Sequence, residues 1–266
     1  MIIDTHTHLD HIKHVDEALV RAYEVGVEAV MAVGIDAVTS RRNLELSQRQ
    51  AANWPKIYLA FGMHPSEANV EELKDCILLM SEHVAHLKAV GEIGLDFWYP
   101  WVKKSDVKKD VQRQVFRRQL EFAKQLNLPV IVHSRGAWDE CYQMVMDLGI
   151  TKALFHWYSG PVDVLTKILD AGFYMSATPS LAYSPQAREA VNVVPLNRLL
   201  VETDSPVTFR RLKGQADGKD DWEPFEAEPK DVFKALDYVA EIKKQSREDV
   251  LGVVNDNAKQ FFRLTE

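Results

Sequence analysis

The chain lacks the features of a secreted or membrane protein. It contains only two cysteines, Cys76 and Cys141, which form no Cys-x-x-Cys pair and no disulfide framework. Its first residues do not have the basic and then apolar build of a signal peptide, and no apolar run approaches membrane length. We therefore expect a cytoplasmic protein with free thiols and no membrane contact.

Excess positive charge is also missing, because the formal net charge is -7. This argues against broad adhesion to nucleic acid, but it is compatible with a local basic patch or a metal-based phosphate site. What the chain does have is a hydrophobic fraction of 46% beside 27% charged residues, which is typical of a globular protein with a large core. We expect one domain over residues 1–266, and a monomer rather than an oligomer.

Short apolar runs alternate with helical patterns along the chain. Eight runs that we interpret as strands lie near Ile2, Val30, Ile57, Ala89, Val130, Leu154, Phe173 and Leu200. Segments between them, such as 16–25, 41–52, 71–87 and 111–126, have the apolar spacing of helices. Such alternation implies parallel pairing through right-handed crossovers, so we predict an α/β fold, a (β/α)8 TIM-type barrel with extra helices after Pro229. A doubly wound open sheet is the rival, but no Gly-x-Gly-x-x-Gly turn follows the first strand.

His6 and His8 end the first predicted strand. Residues two apart in a strand share one face, so both imidazoles project the same way. Imidazole is the commonest protein ligand for metals, and two on one face make half of a metal site. The alternative is that both histidines simply end a strand in solvent.

Further ligand-type residues fall at equivalent places along the chain. Seven lie at or just past the C-terminal end of a predicted strand: His6, His8, His64, Glu92, His133, His156 and Asp204. Barrel enzymes build their active sites on that face. Any one of these residues is explained as a loop or core residue, but together they indicate a hydrolytic metal site. His11, His14, His83 and His86 do not follow this pattern.

Five ordered motifs carry a family resemblance. They read THTHLD, GMHP, GEIGLD, VHSR and ETDSP, at residues 5–10, 62–65, 91–96, 132–135 and 202–206. In this order and spacing they resemble the motifs of the TatD-type deoxyribonucleases, which belong to the metal-dependent, amidohydrolase-like barrels. The match runs from the first strand to about Pro206 and is weaker in the C-terminal helices.

The resemblance implies a site for two divalent ions. One ion is held by His6, His8, Glu92 and Asp204, and the other by Glu92, His133 and His156. Glu92 bridges them, since each carboxylate oxygen can bind one cation. Related barrels use a carbamylated lysine as the bridge, but no lysine stands at the end of the fourth strand. Nitrogen and oxygen ligands suit zinc, manganese or iron, and suit magnesium less well.

The same resemblance implies hydrolysis of DNA phosphodiester bonds, with trimming of single strands from the 3′ end. Asp204 is then the general base toward a metal-activated water, and His64 contacts the scissile phosphate without binding metal. Arg135 is either a second phosphate contact or a surface salt bridge. Glu202 shares a strand face with Asp204 and is expected to orient a ligand from behind.

Two motifs depart from the family pattern. Residues 156–160 read HWYSG where the family usually has His-Cys-Phe-Ser-Gly, and residues 226–229 read EAEP where it has Arg-Asn-Glu-Pro. A cation and an amide expected near the substrate are therefore missing. This favours an alternative function, hydrolysis of a small C–N or ester substrate on the same barrel. A non-catalytic metal-binding scaffold is a third possibility, but no ligand position is missing.

The segment 97–110 opposes that alternative. We expect it to be a loop on the active-site face, in which aromatic residues alternate with lysines. Such a surface can stack bases and follow a phosphate backbone, and Arg210, Arg211 and Lys213 can extend it. The competing interpretation is an aromatic loop packed on the barrel rim beside a solvated run of charge.

Overall fold

The computed structural model describes residues 1–210 and 224–264. Eight parallel strands form one sheet in which each strand pairs with the next along the chain. They are β1 (Ile2–Thr7), β2 (Val27–Val33), β3 (Lys56–Phe61), β4 (Leu87–Asp96), β5 (Val130–Arg135), β6 (Ala153–Phe155), β7 (Tyr174–Ala177) and β8 (Leu199–Val201). The sheet curves until Thr7 meets Ser205 just beyond β8, so the predicted barrel is confirmed.

Helices surround this sheet. In chain order they are α1 (Val15–Glu24), α2 (Ala37–Arg49), α3 (Leu73–Glu82), α4 (Pro100–Lys103), α5 (Asp106–Leu126), α6 (Trp138–Asp147), α7 (Val162–Asp170), α8 (Pro185–Val193), α9 (Val232–Lys243) and α10 (Arg247–Phe262). A short hairpin, β9 (Thr208–Phe209) and β10 (Phe225–Glu226), lies after the barrel. No helix in the described part of the chain is long and apolar enough to cross a bilayer.

Outside the ligand-type and other polar residues near the site, the strands are mostly apolar because both of their faces are buried. In β2, Ala29, Met31 and Val33 belong to the cluster that fills the barrel, while Val30 and Ala32 pack with the surrounding helices. Phe261 and Phe262 of α10 join the inner cluster and close the barrel's N-terminal end. The opposite, C-terminal end is left for polar residues.

Barrel closure depends on a buried carboxylate in β1. Asp4 accepts hydrogen bonds from the Thr203 amide (3.0 Å) and the Thr203 hydroxyl (2.6 Å), which follow β8. The Asp204 amide donates to the His6 carbonyl at 3.0 Å, and the His8 amide donates to the Ser205 carbonyl at 2.8 Å. The first and last strands are thus fixed next to each other where the ligand-type residues lie.

Two local predictions were wrong around β4. The helix predicted over 71–87 ends at Glu82, because Leu87 pairs with Leu59 of β3 instead of continuing the helical face. The strand predicted to end at Glu92 continues to Asp96, so Glu92 lies inside β4 rather than at its end. Four further residues of β4 therefore face β5 near the site.

The segment 97–110 is not the long loop that was predicted. It contains α4 and the first turn of α5, which begins at Asp106 because the Ser105 hydroxyl accepts a hydrogen bond from the Lys108 amide at 3.3 Å. Arg210 is exposed. Arg211 and Lys213, which were expected to extend the basic surface, lie outside the described residues.

Candidate metal centre

A pocket of about 540 Å³ opens at the C-terminal end of the barrel. Six of the seven residues singled out above line it, and the seventh, His6, is fully buried just beneath. His11 also lines the pocket although it lies outside the strand-end pattern, and its ring is 5.9 Å from that of His8. The side chains predicted from the strand-end pattern therefore lie together in the structure.

Four donor atoms form what we call the first cluster: His6 Nε2, His8 Nε2, Glu92 Oε2 and Asp204 Oδ1. The two nitrogens are 3.4 Å apart. His6 Nε2 lies 3.4 Å from both oxygens, and His8 Nε2 lies 3.5 Å from Glu92 and 3.3 Å from Asp204. The shared face predicted for His6 and His8 is thus observed.

These separations match what a tetrahedral ion requires. Ligand atoms about 2.0–2.1 Å from a central zinc ion lie about 3.3–3.4 Å from one another. The five separations that involve a histidine nitrogen in the first cluster span 3.3–3.5 Å. The donor set of two imidazoles and two carboxylates is also one that zinc and manganese accept. The residues therefore fit a divalent ion.

A backbone contact fixes the orientation of the His8 imidazole, and Glu202 lies near His6. His8 Nδ1 donates to the Val33 carbonyl at 3.0 Å, which leaves Nε2 to face the cluster. His6 Nδ1 is 3.7 Å from Glu202 Oε2. Burial opposes a charge on His8, but hydrogen bonds to Asp204 and Glu92 outweigh it and raise the pKa of His8 to about 10.

The second cluster is formed by Glu92 Oε1, His133 Nδ1 and His156 Nε2. The carboxylate oxygen lies 2.7 Å from His133 and 2.6 Å from His156, and the two nitrogens are 3.3 Å apart. Burial disfavours the charge on Glu92, but the neighbouring histidines, His156 foremost, outweigh it and hold the pKa of Glu92 well below its usual range. One ionised carboxylate thus gives one oxygen to each cluster.

Asp96 is the residue that sequence reasoning missed. Its buried carboxylate accepts from His133 Nε2 at 2.9 Å, which turns His133 Nδ1 toward the second cluster. Gln112 fixes Asp96 by accepting from its backbone N–H at 3.0 Å. Burial raises the pKa of Asp96, but His133 and Arg135 outweigh it and lower that pKa below its usual value. The signal was present, since Asp96 ends the GEIGLD motif.

Glu202 lies behind both clusters. Its Oε1 accepts from the Ser176 hydroxyl at 2.5 Å and from the Trp157 amide at 2.8 Å. Its Oε2 is 3.4 Å from His156 Nδ1 and 3.7 Å from His6 Nδ1, and those two rings stack with centroids 4.2 Å apart. The carboxylate therefore contacts His156 of the second cluster by a hydrogen bond and lies near His6 of the first, so its role as an orienting group stays a prediction.

His64 faces the pocket as a hydrogen-bond donor. Its Nδ1 accepts from the Ser66 amide at 3.0 Å, and an amide can only donate. The neutral ring therefore carries its proton on Nε2, which lies 3.5 Å from Glu92 Oε1. Burial lowers the pKa of His64 to about 3, so the neutral form persists at neutral pH. A protonated Nε2 is unsuited to ligate an ion and suited to donate to a substrate oxygen.

Arg135 forms a salt bridge, which is one of the two roles expected for it. Its Nε donates to Asp96 at 2.8 Å, and its guanidinium lies over the Tyr99 ring, 5.0 Å from the centroid. Its terminal N–H groups have no hydrogen-bond partner within the described residues, and the side chain lines the pocket. A salt bridge thus holds a guanidinium whose remaining donors can reach a bound anion.

The two departures from the family motifs have different structural effects. Trp157 lines the pocket and donates from its indole nitrogen to Ser180 Oγ at 2.9 Å, so the bulky indole forms part of one pocket wall. Glu228 binds Arg21, with a shortest separation of 2.7 Å, and neither Glu226 nor Ala227 lines the pocket. The cation and amide missing from the sequence are not replaced by these residues.

Comparison with known proteins agrees with this geometry. The family model described as TatD related DNase matches residues 3–263. The uncharacterized metal-dependent hydrolase YabD of Bacillus subtilis is 31% identical over 274 residues, covering 99% of this chain and 100% of that protein. Deoxyribonuclease TATDN3 of Homo sapiens is 30% identical over 273 residues, covering 98% and 94%. In fold, the crystal structure of YJJV, a TatD homolog from Escherichia coli, matches with a TM-score of 0.84 at 24% identity, covering 99% and 98%. The chain therefore belongs to the TatD-related DNase family, and it is a metal-dependent hydrolase.

Proposed function

We propose that this hydrolase cleaves phosphodiester bonds of DNA at a site for two divalent ions. The first ion is held by His6, His8, Glu92 and Asp204, and the second by Glu92, His133 and His156. The observation that carries the proposal is the placement of Glu92, whose two oxygens face separate donor sets. Nitrogen and oxygen donors favour zinc or manganese over magnesium.

When bound, the two ions supply positive charge that lowers the pKa of a nucleophilic water and neutralises the phosphate oxygens. The carboxylate of Asp204 accepts the proton that this water loses as its oxygen attacks phosphorus. The P–O bond to the departing sugar oxygen breaks in the same displacement. His64 Nε2–H and the terminal N–H groups of Arg135 donate to the phosphate oxygens that remain.

The DNA substrate is proposed on the basis of the relatives. The human protein is named a deoxyribonuclease, and a relative from Danio rerio, 31% identical over 271 residues, is named a putative deoxyribonuclease. We further propose trimming of single strands from the 3′ end, because a strand terminus can enter the enclosed pocket more readily than the middle of a duplex.

We also propose that the protein acts as a monomer in the cytoplasm. Every donor of both clusters comes from one chain, so the site does not need a second copy. Both cysteines are free and buried, which suits a reducing compartment.

A second candidate is hydrolysis of a small C–N or ester substrate. It is favoured by residues 226–229, where the missing Arg-Asn pair removes a cation from the neighbourhood of the substrate. The metal pair and the neutral donor His64 serve an amide carbonyl as well as they serve a phosphate.

The test is cleavage of 3′-labelled and 5′-labelled single strands by metal-stripped protein, repeated with zinc, manganese or magnesium added back. We expect metal-dependent shortening from the 3′ end that is lost in Asp204→Ala and kept in a control, His86→Ala, which alters an exposed residue outside the pocket. A protein that binds two ions but cleaves no strand, and instead hydrolyses small amides or esters, would reverse the order of the two candidates.

A further inference from the structure

Four aromatic side chains form a surface at one side of the pocket, which we call the aromatic shelf: Trp98, Tyr99, Trp101 and Trp138. Tyr99 stacks on Trp101 with centroids 4.5 Å apart and planes 16° from parallel. Trp98 meets Trp138 edge to face at 5.4 Å. Tyr99 and Trp138 line the pocket, so the shelf continues outward from the candidate metal centre.

Two glycines lie directly against the indoles of Trp98 and Trp138. Gly136, with φ +73, lies so close to Trp98 that a Cβ there would be 2.3 Å from the indole Cδ1. A Cβ at Gly160 would be 2.6 Å from the Trp138 indole. Two glycines thus let the indoles lie directly on the backbone. A ring held in this way loses little conformational entropy when a ligand stacks on it.

The outer part of the shelf is open to solvent. Trp98 is 56% exposed and Trp101 is 50% exposed. Single exposed apolar residues are common on protein surfaces, but two half-exposed indoles that each contact an aromatic residue of a pocket wall are typical of a binding surface. The shelf therefore offers aromatic area that the protein itself does not cover.

Unpaired positive charge follows the first three shelf residues along the chain. Lys103, Lys104 and Lys108 are exposed, and none has a carboxylate of the described residues within ion-pair distance. Lys109, by contrast, pairs with Asp106 at 3.3 Å. In a chain of net charge -7, three unpaired lysines within six positions form a local attraction for an anion.

We propose that the aromatic shelf binds the unpaired bases of a single-stranded nucleic acid, with the phosphate backbone along Lys103, Lys104 and Lys108. This rests on the proposed function, because the shelf positions the strand whose terminal phosphodiester enters the metal centre. Stacking on indole needs a free base face, which a duplex does not offer, and it is tolerant of base identity. The shelf thus selects single strands over duplex without selecting a sequence.

The test combines a protein variant with a substrate variant. An oligonucleotide is prepared with one abasic residue, which keeps the phosphate and removes the base, at each position in turn. We expect an abasic residue at one or two positions near the end to lower kcat/KM of the wild type about tenfold. In Trp101→Ala we expect the intact strand to be about tenfold poorer and the same abasic residues to have no further effect.

Two control variants and one charge variant accompany this experiment. Trp101→Phe keeps an aromatic ring and should restore most of the dependence on the base. Leu78→Ala removes a similarly exposed apolar side chain from α3, outside the pocket, and should match the wild type. Replacing the three lysines by glutamine should reduce the salt dependence of binding, by a slope of about 0.7 per lost phosphate contact.

Contrary outcomes separate the two proposals. If abasic residues cost as much in Trp101→Ala as in the wild type, the shelf does not stack bases. If Trp101→Ala changes only the molar mass in solution, the shelf is instead an interface between two copies, and the proposal fails. Cleavage of bis(4-nitrophenyl) phosphate, which is too small to extend from the pocket to Trp101, reports the metal centre without the outer part of the shelf. If the wild type cleaves neither that diester nor the strands, the proposed function fails.

Discussion

The two halves of the candidate metal centre share Glu92 but are built differently. In the first cluster the donors are separated by 3.3–3.5 Å, the spacing of ligands around an ion. In the second cluster His133 and His156 lie at hydrogen-bond distance from the same carboxylate oxygen, 2.7 and 2.6 Å. The first cluster is thus arranged for an ion in advance, whereas the second is held together by its own hydrogen bonds.

This difference in spacing predicts that the two clusters bind ions with different affinities. An ion at the second cluster must replace two short hydrogen bonds and displace the protons that they hold. An ion at the first cluster must displace a proton from His8, but it meets donors that are already spaced for it. We therefore expect the first ion to bind more tightly and the second to be lost first under a chelator. Substitutions that affect one half, both halves or neither test this comparison.

The largest effect is expected at Glu92. Glu92→Ala removes both shared oxygens and should lose both ions. Glu92→Gln keeps one carbonyl oxygen and should retain one ion. Activity should fall in each variant by about 10³-fold or more, because the charge stabilisation of a two-metal site is lost. Metal content by mass spectrometry together with cleavage rate checks this, and two ions per chain in Glu92→Ala would exclude the bridge.

His64→Ala should separate a substrate donor from a ligand. The protonated Nε2 of His64 donates but does not ligate, so the variant should keep its ions while kcat falls about 10²-fold. His133→Ala is the matched comparison and should lose the second ion. Metal loss in His64→Ala would show that this histidine belongs to the second cluster as a ligand.

Asp96→Asn should weaken only the second half. Asparagine cannot hold the His133 ring as a carboxylate does, so we expect affinity for the second ion to fall about 10- to 100-fold, with the first unchanged. Glu202→Gln is the comparison variant. Because Glu202 lies near an imidazole of each cluster, this variant should weaken the binding of both ions. Stepwise metal titration distinguishes the two patterns.

The smallest effect is the proton released on binding. The raised pKa of His8, about 10, means that its imidazole is protonated at pH 7 in metal-stripped protein. The ion must displace that proton, so affinity for the first ion should rise about tenfold per pH unit below pH 10. Calorimetric titration at pH 7 in buffers of different ionisation enthalpy should find one proton from His8, and none would contradict the prediction.

The barrel and its ligand face could be predicted from the sequence because both depend on local patterns. For example, the apolar run 130–132 is followed directly by His133, and this pattern is visible without knowledge of the rest of the chain. The role of Asp96 could not be predicted in the same way. It depends on β4 extending past Glu92 and pairing Asp96 with Arg135 of β5, which the spacing of apolar residues does not reveal.

Local structure near the site was also harder to predict than the barrel. The segment 97–110 has an irregular apolar pattern, yet the Ser105 cap starts α5 at Asp106. The helix predicted over 71–87 was too long because Leu87 fits the apolar spacing of a helix and of a strand equally well. Its pairing with Leu59 places it in the strand. A contact distant in sequence determined the second outcome, whereas the Ser105 cap is a local contact with Lys108.

The hydrogen bonds between Asp4 and Thr203, 199 positions apart, also have a consequence for the order of assembly. Glu92, His133 and His156 follow one another at intervals of 41 and 23 residues, so β4, β5 and β6 alone can bring them together. His6, His8 and Asp204 meet only after the whole barrel has been synthesised and its two edges have joined. An ion held there would therefore join the first and last strands of the barrel.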